Sequence, residues 1–407
     1  MSMKKSDATA EWLAEHDVLA GAEVQSFRQF RHLPSDFRDR VARRWGLAVP
    51  TSSTESVNTE NVIWVDAFDG AEPPILTYAG PMPRQFRQRR LHSHNVRLHD
   101  IRMGKMFVGY RRSTLFLDSQ HYFEGVSAPG STWITPAFAS APADLSFDGT
   151  VAVLFADGAS LFSHWMFDLL PKLEVLRRAG WTPDKVDCYV VNSNGARFCA
   201  ETLARLGIPL KKTIHGAGRS ISAERLLIPS RVRRGFWTPS WVREFVATTF
   251  LGDGGRSIGD RSTRVYVSRA KAKRRRIINE DEVRYILEKR KFEVFVAEDM
   301  AVAEFAEIVR GASAMVAPHG AGVTNVAFAR PGVRVLEMFG AHIAPEGWLM
   351  TNSVGGQHYI LAGKDKHGRY PWHEGVYEGY SWDQRNEEDY LVDAGDLEGA
   401  LDIMGVQ

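Results

Sequence analysis

Two residues four positions apart in LFSHWMFDLLPKLEVL, His164 and Asp168, could move a proton. On a helix that spacing places an imidazole and a carboxylate on one face. A carboxylate that accepts from one ring nitrogen fixes the tautomer and raises the basicity of the other. Either group could then deprotonate a hydroxyl. Pro171, inside the same apolar pattern, predicts an irregular helix start there. A second group, YVSRAKAKRRRIINEDEV from Tyr266 to Val283, is cationic. Ser268 and Arg269 follow an apolar strand pattern, and Lys271, Lys273, Arg274, Arg275 and Arg276 come before the next helix. A guanidinium can grip a phosphate with two parallel hydrogen bonds, so arginines at a strand end suit a diphosphate. Arg269 is the member best tied to a strand end. Lys273 and Arg274 read as a solvated basic loop.

The third group is AMVAPHGAGVTNVAFARPGVRVLEMF, Ala314 to Phe339. It reads as strand, glycine turn, short helix from about 323 to 329, proline-glycine turn and strand. Gly320, Ala321 and Gly322 let the backbone turn tightly against a bound group. His319 precedes the turn, and Thr324 and Asn325 open the helix behind it. Free N–H groups at such a helix start favour an anion. Glu337 lies near the carboxyl end of the second strand, where an acid can accept from ribose hydroxyls. The local reading is a nucleotide pocket. HGAGVTN is not a dinucleotide fingerprint, because Asn325 stands where a third small residue would close it.

Other matches carry less. HGAG recurs at 215–218, but no apolar helix follows, so it reads as a turn. GRSIG around Ser257 lacks the apolar strand that a nucleophile elbow needs, and reads as part of a linker. Arg84, Arg87, Arg89 and Arg90 crowd one segment and read as a solvated basic face. There is no phosphate loop of the ATPase type, no D-x-D pair and no C-x-x-C.

These groups need scaffolds. Residues 1–60 read as an extension, helical in part, with an amphipathic basic stretch over 38–45. Short strands follow at 62–65, 96–101, 105–110 and 113–117. From residue 151 strands and helices alternate: 151–156, 162–179, 187–191, 196–206, 225–228 and 241–250. GDGGRSIGD, from 252, is the best linker in the chain. Alternation restarts with strands at 264–268 and 292–296 and helices at 280–289 and 303–310. Two βαβ series imply an α/β protein with two Rossmann-like domains. The expected division is 1–60 as the extension and 61–250 as a first, acceptor-side domain with a β-rich insertion. A nucleotide-binding domain follows over 251–385, then a tail over 386–407 whose helix (395–403) crosses back to the first domain.

The chain has 407 residues, 44% hydrophobic and 25% charged, with a net charge of +2. That is ample for two globular domains and gives no support to nucleic-acid binding. Two cysteines, Cys188 and Cys199, exclude a disulfide framework. The uncharged runs at 125–143 and 311–329 carry prolines and cannot span a bilayer as helices. The N-terminus lacks the apolar stretch of a signal peptide. The expected location is the cytoplasm, with peripheral attachment to the inner face of the membrane allowed.

In this order, SHWMFDLLPKL, YVSRAKAKRRRIINE and APHGAGVTNVAFARPGVRVLEMF resemble glycosyltransferase family 61 over about residues 161–339. The resemblance implies a GT-B fold, two Rossmann-like domains facing a cleft, with inverting chemistry and no required metal or other cofactor. The donor would be a nucleotide sugar, usually UDP-linked, and the acceptor a saccharide or glycolipid in surface polysaccharide synthesis. By motif position, Ser268, Arg269 and Arg275 meet the diphosphate, with Arg276 the alternative to Arg275. His319, Gly320, Ala321, Gly322, Thr324 and Asn325 form the nucleotide turn beneath it, and Glu337 takes the ribose. Asp168, or His164 held by Asp168, is the base. Two other classes fit parts of the pattern: a nicotinamide-dependent oxidoreductase, and an inactive nucleotide-sugar or polysaccharide-binding protein.

Overall fold

The computed structural model describes short strands within 51–123 together with residues 143–193, 195–233, 236–251, 263–371 and 382–407. The N-terminal helix, the 62–65 strand, the arginines at 84–90, Ser257 and the 252–260 linker lie outside the described residues. In chain order the strands are β1 (Thr51–Ser52), β2 (Asp69–Ala71), β3 (Thr77–Tyr78), β4 (Leu91–His92), β5 (Leu98–Val108), β6 (Ser113–Phe116), β7 (His121–Phe123) and β8 (Leu145–Leu154). They continue as β9 (Cys188–Val191), β10 (Thr213–His215), β11 (Arg219–Pro229), β12 (Thr263–Val267), β13 (Phe292–Phe295), β14 (Ala312–Pro318), β15 (Arg334–Phe339) and β16 (Gln357–Ala362). The α-helices are α1 (Pro171–Arg178), α2 (Arg197–Arg205), α3 (Ser240–Leu251), α4 (Glu280–Lys289), α5 (Val302–Arg310), α6 (Glu346–Ser353), α7 (Trp382–Glu387) and α8 (Ala394–Ile403).

The chain divides into two compact units, one drawn from 1–66 and 95–232, the other from 67–94 and 233–407. The first holds a sheet in the order β1-β7-β6-β5-β11-β8-β9-β10. From β11 to β10 the strands are parallel; β5 and β6 pair antiparallel to their neighbours. The expected β-rich segment is therefore the antiparallel half of the same sheet. The strands expected at 96–101 and 105–110 are one, β5, and β11 is far longer than the 225–228 expected. Val151, Val153, Val190, Leu226 and Ile228 fill the core of the parallel half.

The second unit holds a parallel sheet ordered β13-β12-β14-β15-β16-β3. β14 reads ASAMVAP and is almost wholly buried, as a strand covered on both faces should be. Val302, Phe305, Ala306 and Val309 give α5 an apolar stripe at helical spacing. Strand order reverses between β12 and β14. In a doubly wound sheet the carboxyl ends flanking that reversal form the ligand crevice. Helix α3 packs against α5, and Phe250 meets Phe328 edge to face at 6.1 Å. Helix α8 does not cross back as expected. Leu397, Leu401, Met404 and Val406 bury it in the second unit's core, against α4 and β16. Asp393 caps it by accepting from the N–H groups of Gly395 and Asp396. Among the described residues no helix is long and apolar enough to cross a membrane.

Candidate active-site residues

Arg269 leaves the end of β12 and lays its guanidinium on Gly320, just beyond the end of β14. Nη1 occupies the place a Cβ on Gly320 would take, and Gly320 has φ +148°. Only glycine permits both. Nη2 donates to Arg274 O at 3.2 Å, and the buried Nε has no partner. The loop then turns through Arg275, whose φ is +54° and whose Nε is also buried and unpartnered. Neither guanidinium has a carboxylate within salt-bridge distance among the described residues. Burial lowers the pKa of both, Arg275 to about 10. Of the other cations of this segment, Lys273 is exposed and unpaired among the described residues, and three are neutralised. Lys271 pairs with Asp299, and Arg274 with Glu387 at 2.7 Å. Asp389 holds Arg276 at 2.8 and 3.0 Å and also accepts from its backbone N–H. Arg276 is thus engaged on the surface, whereas the charge of Arg275 acts on both His319 and His342. Two half-buried, mutually repelling cations with no carboxylate in contact among the described residues are a recognised mark of a functional site.

The glycine turn beside these arginines is built differently from expectation. Residues Val323–Phe328 form a six-residue 3-10 helix. The N–H groups of Val323, Thr324 and Asn325 bond to the carbonyls of Gly320, Ala321 and Gly322 at 3.2–3.3 Å. They are spent, and so short a helix adds little dipole. The N–H groups of Gly320, Ala321 and Gly322 meet no acceptor among the described residues, so the turn itself carries the free donors. Thr324 is fully buried and bonds back to Ala321 O at 2.7 Å. Asn325 bonds back to Gly322 O at 2.9 Å. Both shape the turn. Ser268 also faces inward: its hydroxyl donates to Glu280 Oε1 at 2.6 Å, beside Tyr266 OH at 2.8 Å.

Glu337 is fully buried and presents no oxygen to a ribose. Its Oε1 lies 2.6 Å from Nδ1 of His319, and Oε2 lies 3.1 Å from Nε2 of His358. Its carboxylate supports His319 from below. The His319 ring stacks on Phe339 at 4.6 Å and lies 5.3 Å from His342. Burial lowers the pKa of His319 and of His342 to about 4, and raises that of Glu337.

In the first unit, His164 closes a single turn (Phe162–His164) that passes into a π-turn over Trp165–Leu169 and then α1. The cause is Pro171, which has no N–H to give and whose ring would strike the carbonyl of Phe167 in a regular helix. Widening the turn removes the clash, and Leu170 N bonds to Trp165 O at 2.9 Å. His164 Nδ1 and Asp168 Oδ2 stand 2.8 Å apart with side chains 37% and 21% exposed. Gly158, φ +77°, lies so close under the imidazole that a Cβ there would press on it.

With these two sites in view, the comparison with family models is decisive: residues 162–336 match Glycosyltransferase 61. That span belongs to glycosyltransferase family 61. Comparison with curated proteins finds no match. The family 61 span begins two residues before His164 and ends one before Glu337, so it includes the His164–Asp168 pair, the arginines and the glycine turn. The match supports glycosyl transfer as the general class of activity for that span.

Sequence reasoning missed several residues that shape these sites. Glu280 anchors Ser268, and three acids at the start of α4 were its only signal. His342 sits three residues past β15, at the same sheet edge as His319. Gly158 lies in the turn before the His164 segment, and Lys172 in α1 after it. Lys172 is buried and donates to Phe155 O and Pro229 O, tying two strand ends to that helix. His358 and Thr351 lie beyond the matched span and carried no spacing signal.

Proposed function

We propose that the protein transfers a sugar from a nucleotide sugar, UDP-linked as the leading case, to a hydroxyl of a saccharide or glycolipid acceptor. The observation that carries this reading is the pair Arg269 and Arg275, which form no ion pair among the described residues, beside the N–H groups of residues 320–322, which meet no acceptor there, at the strand-order reversal. A diphosphate supplies the charge that this cradle lacks. The transfer is a single displacement with inversion. The acceptor hydroxyl loses its proton to the His164–Asp168 pair and attacks the anomeric carbon. The leaving diphosphate gathers negative charge, which the two guanidiniums and the turn stabilise in place of a metal. In this reading the two units act as the halves of a GT-B enzyme, and the product belongs to surface polysaccharide synthesis at or near the inner face of the membrane.

A thermal-shift screen against nucleotide sugars and free nucleoside diphosphates tests the donor class. A ligand at a hundred times its Kd adds about 2.7 kcal/mol of stability. Stabilisation by at least one nucleotide sugar and by its diphosphate alone is expected. Stabilisation by nicotinamide dinucleotides and by no nucleotide sugar would overturn the reading.

A further inference from the structure

The family match ends at residue 336, yet a segment well beyond it backs the arginine loop. Residues 387–393 run along the carboxyl edge of the second unit's sheet. Tyr390 is buried between Gly340, which follows β15, and Gly363, which follows β16, and a side chain on either glycine would strike its ring. Its hydroxyl donates to Met338 O at 2.9 Å. Leu391 pairs with Lys364, which also follows β16. The Asn279 side chain, at the head of α4, donates to Val392 O at 2.7 Å and accepts from Val392 N–H at 3.0 Å. The segment is therefore fixed to strand ends on one side and to α4 on the other.

The loop between β12 and α4 is tied to this segment chiefly at Arg276. Its backbone N–H donates to Asp389 Oδ1 at 2.8 Å, and its carbonyl accepts from Tyr390 N–H at 3.0 Å. Two residues on, Ile278 N–H donates to Tyr390 O at 2.8 Å. The N–H of Arg276 belongs to the peptide that joins it to Arg275, so Asp389 fixes the orientation of the peptide on that side of Arg275. Arg275 itself has φ +54°. A residue with a Cβ takes this left-handed conformation at a cost in free energy, and keeps it only where its surroundings impose it. Glycine would take it without strain. The chain has an arginine there instead, with its Nε buried.

We infer that Asp389 is a positioning residue of the donor site: by accepting from the Arg276 N–H it imposes the left-handed turn at Arg275 and so aims that guanidinium at the diphosphate. The inference rests on the reading of the cradle as a diphosphate site. Arg269 depends on the same turn, since its Nη2 donates to Arg274 O, the carbonyl just before Arg275. Asp389 also holds the guanidinium of Arg276 at 2.8 and 3.0 Å, but the two roles are separable. Arg276→Ala removes that exposed ion pair and leaves both backbone bonds of residue 276 in place. Asp389→Ala removes the ion pair and the backbone acceptor together. Two substitutions that break the same ion pair thus have different consequences for the cradle.

Calorimetric titration of the full chain with UDP tests this. Asp389→Ala should weaken binding about tenfold, the effect of losing one hydrogen bond to a charged acceptor. Arg276→Ala should bind within about threefold of the wild type. On an Arg275→Ala background, Asp389→Ala should add less than about threefold, because a residue that acts through Arg275 has nothing left to aim. A merely structural aspartate would weaken binding equally on both backgrounds, and that result would overturn the inference. Wild-type affinity in Asp389→Ala would overturn it as well, while leaving the diphosphate site standing. Thermal melting tests the strained turn without any ligand, and decides even where Asp389→Ala fails to fold. Arg275→Gly should melt above Arg275→Ala, because glycine alone relieves the positive φ; an equal or lower melting temperature would contradict an imposed turn. If the wild type binds none of UDP, GDP and dTDP, the diphosphate reading falls and this inference falls with it.

Discussion

At the scale of single residues, the sites are defined by what neutralises each charge. Five cations occur between Lys271 and Arg276, and their type and spacing do not tell them apart. Their partners and burial do: acids from 387–389, more than a hundred residues away, hold Arg274 and Arg276, and of the two cations unpaired among the described residues Lys273 is exposed while Arg275 is half-buried. The buried histidines have a consequence for stability. His319 and His358 are neutral in the fold, with pKa values lowered by burial to about 4 and about 3. An unfolded histidine titrates near 6.5. Between those limits the unfolded chain binds more protons, so stability falls as pH falls from 6.5 toward 4, by up to about 1.4 kcal/mol per unit per group. Glu337, whose pKa is raised, acts in the opposite direction and offsets part of one histidine. The melting temperature should therefore drop on acidification across that window, and His358→Phe should flatten the slope. A melting temperature unchanged from pH 6.5 to 4.5 would show that the histidines are already charged in the fold.

At the scale of elements, the irregular pieces carry the chemistry. The π-turn at Trp165–Leu169 sets how His164 and Asp168 meet, and Pro171 enforces it. Pro171→Ala restores the missing N–H and lets the helix regularise. Transfer should fall several-fold while the melting temperature stays level or rises, because an alanine suits a helix interior better than proline by about 3 kcal/mol. Equal loss of stability and activity would mean that the proline acts only in packing. The six-residue 3-10 helix after Gly322 is the other irregular piece. Its own N–H groups are used internally, which moves anion binding onto the turn that precedes it.

At the scale of the whole molecule, the alternation of strands and helices and the buried β14 were legible because apolar periodicity states them directly. Helix α8 was legible to within a residue at its start, but its docking was not, since nothing local says which core an amphipathic helix joins. The β-rich segment before residue 145 was legible as strands, but not as half of one mixed sheet. In the candidate site, Arg269, His319 and the glycine turn were readable from their places at strand ends. The inward turn of Ser268, Thr324, Asn325 and Glu337 was not, because spacing fixes where a side chain starts and not what it bonds. The balance of charge at the cradle also bears on metal dependence. Where two guanidiniums face the diphosphate, as proposed, transfer should persist in EDTA, and a loss restored only by Mg²⁺ or Mn²⁺ would refute the proposal of metal-free transfer.

The central claim is that Arg269 and Arg275, which form no ion pair among the described residues, hold the diphosphate of the donor. Comparing transfer rates of Arg275→Ala and Arg276→Ala tests it most directly, since the two substitutions remove the same charge one residue apart. Loss of a well-placed donor to a leaving group costs about 100-fold or more in rate, and that is the result predicted for Arg275→Ala. Arg276→Ala, which breaks only an exposed ion pair with Asp389, should stay within about fivefold of the wild type. Equal effects from the two substitutions, or a larger loss from Arg276→Ala, would contradict the account.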